Sequence, residues 1–97
     1  MTPTFFIRAS TNAERLLRKL NQKHPELADI SKRAEVILRT DPYNRSRSHA
    51  IKKLENVAAG DGQYRLRIGR FRFRFDITGQ VVTLHSVSLR REDTYRN

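Results

Sequence analysis

Residues 64–77 decide the fold of this chain, and they read Tyr-Arg-Leu-Arg-Ile-Gly-Arg-Phe-Arg-Phe-Arg-Phe-Asp-Ile. Apolar and polar side chains alternate with a period of two on both sides of Gly69, which is the pattern of half-buried strands. The stretch therefore predicts two strands, with one face on a core and the other face basic. The arginines assigned to that basic face are Arg65, Arg67, Arg70, Arg72 and Arg74.

The residues before this stretch predict one strand and two helices. Thr4–Arg8 is short, β-branched and aromatic, as strands are. Thr11 and Glu14 have the spacing of a capping box at the start of an amphipathic helix. A second apolar stripe with helical period begins after Pro25 and stops at Asp41-Pro42. Residues 42–61 show no clear period and are predicted to be mostly loop.

After the basic stretch, Thr78-Gly79 predicts a hairpin turn into a third consecutive strand, residues 81–87. The predicted order is β-α-α-β-β-β, an α+β fold in which two N-terminal helices pack on one face of an antiparallel sheet. A chain of 97 residues has room for one core, so a single domain, 1–97, is expected.

Composition indicates the cellular compartment in which the protein is expected. No run approaches the ~20 apolar residues of a membrane span, and the first residues lack the apolar core of a signal peptide. The sequence has no Cys, which excludes disulfides and thiolate metal sites. A cytoplasmic protein without membrane contact is expected.

Charge is the dominant feature of the composition. Lys and Arg number 20 against 10 Asp and Glu, which leaves a net charge of +10, and 15 of the 20 cations are Arg. Guanidinium groups match phosphate in a bidentate way and stack on bases, so this bias favours nucleic acid as the partner. The alternative is a basic protein whose charges are solvated or meet an acidic protein.

The spacing of the strand arginines strengthens the nucleic-acid interpretation. Side chains two residues apart on a strand are ~6.6 Å apart, close to the phosphate repeat of a single nucleic-acid strand. Arg65, Arg67, Arg72 and Arg74 could therefore grip successive phosphates. Alternation alone, however, is also what any solvent-exposed sheet face requires.

Other chemistries have weak support in the sequence. His24, His49 and His85 are spread over separate segments without metal-ligand spacing, and there is no glycine-rich phosphate loop, so neither a metal nor a cofactor is expected. The serines lack a nucleophile-elbow context. His85 is interpreted as a half-buried, hydrogen-bonded residue, with proton transfer as the alternative.

The stretch Tyr64-Arg65-Leu66-Arg67-Ile68-Gly69-Arg70-Phe71-Arg72 and the tail Arg90-Arg91-Glu92-Asp93-Thr94-Tyr95-Arg96 resemble the RelE/ParE superfamily of bacterial toxins. The resemblance spans almost the whole chain and includes the order of strands and helices. It implies a toxin of a type II toxin-antitoxin pair, held inactive by an acidic or amphipathic segment of its cognate antitoxin over the basic face.

The superfamily divides by function. RelE-like members cleave messenger RNA on the ribosome, whereas ParE-like members inhibit DNA gyrase and have no nuclease centre. The RelE-like branch is favoured here, which makes ribosome and mRNA the expected partners. The ParE-like alternative, and a toxin fold that has lost its activity, both remain open.

The resemblance also implies site residues. The catalytic residues of RelE-like enzymes correspond to Arg72, Arg90 and Tyr95, and a basic pair of those enzymes corresponds to Arg65 and Arg67. Together with Arg70 and Arg74 of the same basic face, this pair is assigned to RNA binding. The gap from Arg90 to Tyr95 is one residue shorter than in those enzymes, so Arg91 is an equal candidate for the position of Arg90. A phenolate among arginines could act as the base for attack by a 2′-hydroxyl, since the cations favour the ionised form. The other possibility is that Tyr95 merely packs its ring on the sheet edge.

Overall fold

Seven elements follow one another in residues 4–90, the part of the chain that this computed structural model describes. The first three are strand β1 (Phe6–Ala9), helix α1 (Thr11–Lys23) and helix α2 (Leu27–Thr40). Four strands follow: β2 (Ile51–Lys53), β3 (Tyr64–Ile68), β4 (Phe71–Thr78) and β5 (Val81–Leu89).

The strands form one five-stranded sheet in the order β1-β5-β4-β3-β2. β1 runs parallel to β5, and the other neighbours are antiparallel. Two-residue turns close both hairpins, because Ile68 pairs with Phe71 and Thr78 with Val81. The predicted α+β fold is thus confirmed, with a mixed sheet in place of a purely antiparallel one.

Strand β2 lies in the segment that the sequence predicts to be loop. It has three residues, too few for a period to be visible, and it forms because β3 offers a free edge. Ile51 pairs with Leu66 and Lys52 with Arg65. The sheet therefore has one strand more than the sequence predicts.

Helix α1 begins one residue earlier than the capping-box spacing indicates. Ser10, not Thr11, is the N-cap, and its Oγ accepts a hydrogen bond from the Ala13 amide at 3.0 Å. The same hydroxyl donates to the His85 carbonyl oxygen at 3.1 Å. Two adjacent residues could cap this helix, and the contact with β5 selects Ser10.

The core lies between the helices and one face of the sheet. Phe71, Phe73 and Phe75 project from β4 into it and are each at most 1% exposed. Ala13 of α1 and Leu27 and Leu38 of α2 cover the core on the helix side. No helix within residues 4–90 is long and apolar enough to cross a membrane.

Candidate nucleic-acid interface

The sheet face opposite the helices, here called the open face, collects cations from four strands. Strand pairing and alternation from the buried phenylalanines of β4 fix which side chains lie on it. They are Arg8 of β1, Lys52 of β2, Arg65 and Arg67 of β3, and Arg72 and Arg74 of β4.

Four of these cations stand opposite one another in pairs. Arg65 pairs with Arg74 and Arg67 with Arg72. Side chains directly opposite on antiparallel strands have Cβ atoms ~5 Å apart, and like charges there are destabilising. A bound polyanion would relieve this repulsion.

One end of the open face, the turn end, consists of Arg67, Arg72 and Arg90 near the β3–β4 turn. Arg72 pairs with Ser88, and the Arg90 amide donates to the Arg70 carbonyl oxygen at 2.6 Å, which extends the ladder past β5. Two residues beyond Ser88, Arg90 falls on the same face as Arg72. The structure thus brings together two of the predicted catalytic residues that lie 18 positions apart in the chain.

The two arginines of β3 on the open face have little neutralisation nearby. Within residues 4–90, neither Arg65 nor Arg67 takes part in an ion pair. The Nε atom of Arg65 is buried, and no described residue forms a hydrogen bond with it. The Arg67 side chain is exposed.

The other end, the loop end, consists of Arg74, Asp76 and residues 60–63. Asp76 is only 8% exposed and accepts three backbone N–H groups, from Gly60, Gly62 and Gln63, at 2.8–3.2 Å. Arg74 donates from Nε to the Gly62 carbonyl at 2.8 Å and from Nη2 to the Asp61 carbonyl at 3.2 Å. The charges at this end are used within the fold.

Arg70 lies in the turn between β3 and β4 and not in either strand. Its Nη2 is 3.7 Å from Oε2 of Glu26, just before α2, so it is directed toward the helix side of the molecule. The sequence places Arg70 with the other four arginines, because strict alternation ignores the two-residue turn. Two further predicted catalytic residues, Arg91 and Tyr95, lie outside the described residues.

Sequence reasoning missed two cations of the open face and the structural role of Asp76. Arg8 and Lys52 join it from the two edge strands, and Asp76 anchors its loop end. The alternation of β4 already places Asp76 on this face, but it does not show that the side chain holds a loop. Arg8 and Lys52 could be placed only with the strand pairing known.

The three histidines lie apart. Nδ1 of His24 is 3.9 Å from Glu26, Nε2 of His49 is 3.6 Å from Asp41, and His85 lies in β5 at a bulge opposite Arg74 and Phe75. Within residues 4–90, no three His, Asp or Glu side chains are grouped as metal ligands.

Asp41 organises the loop after α2. Burial raises the pKa of its carboxyl. Hydrogen bonds from the Ser46 hydroxyl and the Arg45 and Ser46 amides, together with the nearby His49, outweigh that effect and lower the pKa below its usual 3.8. An ionised carboxylate therefore holds the loop.

No protein-family model and no curated protein sequence matches this chain. Two solved structures do. A chain of the toxin-antitoxin complex RelBE2 from Mycobacterium tuberculosis is 24% identical with a TM-score of 0.59, over 90% of this chain and 99% of that chain. A chain of the RelB-RelE antitoxin-toxin complex from Methanococcus jannaschii is 19% identical with a TM-score of 0.54, over 84% and 87%. The chain consists of one strand, two helices and four further strands, and the five strands form one mixed sheet; this architecture, matched over most of the chain, is the RelE-like fold.

Proposed function

We propose that this chain is the toxin of a type II toxin-antitoxin pair and cleaves messenger RNA on the ribosome. Its fold is that of chains in two toxin-antitoxin complexes. Fold alone does not fix function, so the proposal depends on the open face. A net charge of +10 and a sheet face lined with arginine suit RNA.

The observation that carries the proposal is the convergence of Arg67, Arg72 and Arg90 at the turn end. Guanidinium groups from three separate segments can surround one phosphate. On a surface whose charges serve only solubility, the cations would be expected to lie farther apart. Arg65 and Arg67 would hold the phosphates on one side of the bond that is cut.

The chemistry needs a base, stabilisation of charge and a proton for the leaving group. The 2′-oxygen attacks the adjacent phosphorus while the bond from phosphorus to the 5′-oxygen breaks. The products are a 2′,3′-cyclic phosphate and a 5′-hydroxyl. Tyr95 takes the 2′-hydroxyl proton, and Arg72, with Arg90 or Arg91, stabilises the charge on the phosphorane. The 5′-oxygen leaves with a proton from the same cationic cluster or from water.

The same surface is the proposed binding site of the cognate antitoxin. An acidic or amphipathic segment laid over the open face would neutralise its charge and exclude RNA at once. A complex that leaves Arg65, Arg67 and Arg72 fully exposed would contradict this mode of inhibition.

The test is brief expression of the chain followed by mapping of RNA ends. The proposal predicts cuts within translated codons, with cyclic phosphate at the new 3′-ends, and no cuts with an Arg72→Ala variant. Intact messages together with induction of the DNA-damage response would support the ParE-like alternative and reject the nuclease. Growth without either effect would indicate a fold that has lost its activity.

A further inference from the structure

The loop end uses its charged groups in a closed set of hydrogen bonds. The two carboxylate oxygens of Asp76 accept hydrogen bonds from three backbone amides of residues 60–63. Arg74 donates to two carbonyls of the same segment. The loop is therefore held through both kinds of backbone group: Asp76 binds its N–H groups, and Arg74 binds its carbonyl oxygens.

The loop also packs tightly on the open face. Gly62 is buried with φ +81, and a Cβ added there would lie 3.0 Å from Cβ of Arg74 and 3.5 Å from Cβ of His85. A side chain at this position would have to push the loop off the sheet. Gly62 therefore permits the close approach that the hydrogen bonds of Arg74 require.

We infer that Arg74 is a positioning residue and that, with Asp76, it fixes residues 60–63 as a wall that ends the RNA path on the open face. This inference rests on the proposed function for the identity of the ligand. It separates Arg74 from Arg72, although both lie on β4 and face the same way. RNA then occupies the face from the turn end as far as Arg65, and its phosphates do not contact Arg74.

The wall sets the length of RNA that fits. Arg74 pairs with Arg65, where the proposed RNA path ends, and the next position on this face of β4, Asp76, lies two residues or ~6.6 Å farther along the strand. That distance is close to one phosphate step of an extended strand. Removing the wall should therefore lengthen the binding site by about one nucleotide. A phosphate ligand would behave in the opposite way, since its loss would shorten the site.

The experiment measures binding of fluorescent oligouridylates of increasing length, and its salt dependence, for the full chain carrying Arg74→Gln. We expect the length at which affinity levels off to increase by about one nucleotide, with an unchanged salt slope. The matched control is Arg67→Gln, which removes the same charge from the neighbouring strand. It should reduce the magnitude of the slope by ~0.7, the value for one phosphate contact on a single strand.

Amide hydrogen exchange supplies a readout that does not need RNA. In the wild type, the amides of Gly60, Gly62 and Gln63 should be protected by Asp76, and Arg74→Gln should speed their exchange by about tenfold or more. Arg67→Gln should leave them unchanged. If Arg74→Gln fails to fold, Gly62→Ala provides the same test, because it displaces the loop and keeps every cation.

The inference is wrong if Arg74→Gln lowers the salt slope as Arg67→Gln does and leaves loop exchange unchanged, because Arg74 would then be a phosphate ligand. Faster exchange without a longer site would show that the loop is no boundary for RNA, which also overturns it. If the wild type binds no oligouridylate at any length, RNA binding to the open face fails as a proposal, and the exchange data alone then decide the role of Arg74.

Discussion

Strand β4 carries two arginines, Arg72 and Arg74, on one face and two residues apart, yet their surroundings differ. Arg72 lies at the turn end beside Arg67 and Arg90, where cations converge from three segments. Arg74 lies at the loop end, where its donors are hydrogen bonded to the carbonyls of Asp61 and Gly62. The first arrangement concentrates charge, and the second uses charge to hold a loop.

This difference shows that the alternation of polar and apolar residues predicts the sheet face of a side chain but not its role. The role depends on which acceptors reach the guanidinium. Backbone carbonyls from a folded loop reach Arg74, so it stabilises the protein. At the turn end, Arg67 and Arg72 lie directly opposite each other, and like charges in that position are destabilising.

The largest effect should come from the proposed base. Tyr95→Phe keeps the ring and removes the ionisable oxygen, so single-turnover cleavage of ribosome-bound mRNA should fall by ~10²-fold or more. Affinity for the programmed ribosome should barely change. The control is Tyr43→Phe, which makes the same change beside Phe5 and Tyr64 and should leave cleavage unaltered. Wild-type cleavage by Tyr95→Phe would reject the assignment of Tyr95.

Asp76→Ala should cause the largest loss of stability at the loop end. It would leave three amides of a partly buried loop without their acceptor, and we expect a loss of about 3 kcal/mol in the free energy of unfolding. Urea denaturation measures it. Asp61→Ala removes an exposed carboxylate from the same loop and should cost less than about 0.5 kcal/mol. Equal effects of the two substitutions would show that Asp76 does not anchor the loop.

A smaller effect is expected from a charge reversal near the turn end. Arg67→Glu should weaken binding of single-stranded RNA by about tenfold at low salt and flatten its salt dependence, because a phosphate contact is replaced by repulsion. Arg18→Glu makes the same change in net charge on the exposed side of α1 and should matter much less. If both variants bind alike, net charge and not the open face governs RNA binding.

The smallest effect concerns the loop after α2. The folded state lowers the pKa of Asp41, so its contribution to stability is complete above the usual value of 3.8 and is lost as the pH falls through the lower folded value. Below pH ~4 the wild type should therefore lose more stability than Asp41→Asn. The measurement is the free energy of unfolding of both proteins as the pH is lowered. An equal loss in the two proteins would contradict this.

The sequence predicts the fold better than the site. The alternation over residues 64–77 identifies β3, β4 and their core face, because burial of one face imposes that pattern. It could not reveal β2, whose three residues form a strand only against the edge of β3. The partners of Arg74 were also hidden, since backbone carbonyls exist in every residue and leave no signature in the sequence.

The contrast between the two ends is tested most directly by making one substitution at each. Arg72→Gln and Arg74→Gln remove the same charge from the same face of β4, and single-turnover cleavage of ribosome-bound mRNA is measured for both. We expect Arg72→Gln to slow cleavage by ~10²-fold or more, as for loss of a donor that stabilises a transition-state oxyanion, and Arg74→Gln to slow it by less than about tenfold. Equal losses, or a larger loss for Arg74→Gln, would contradict the division of the open face into a reactive turn end and a structural loop end.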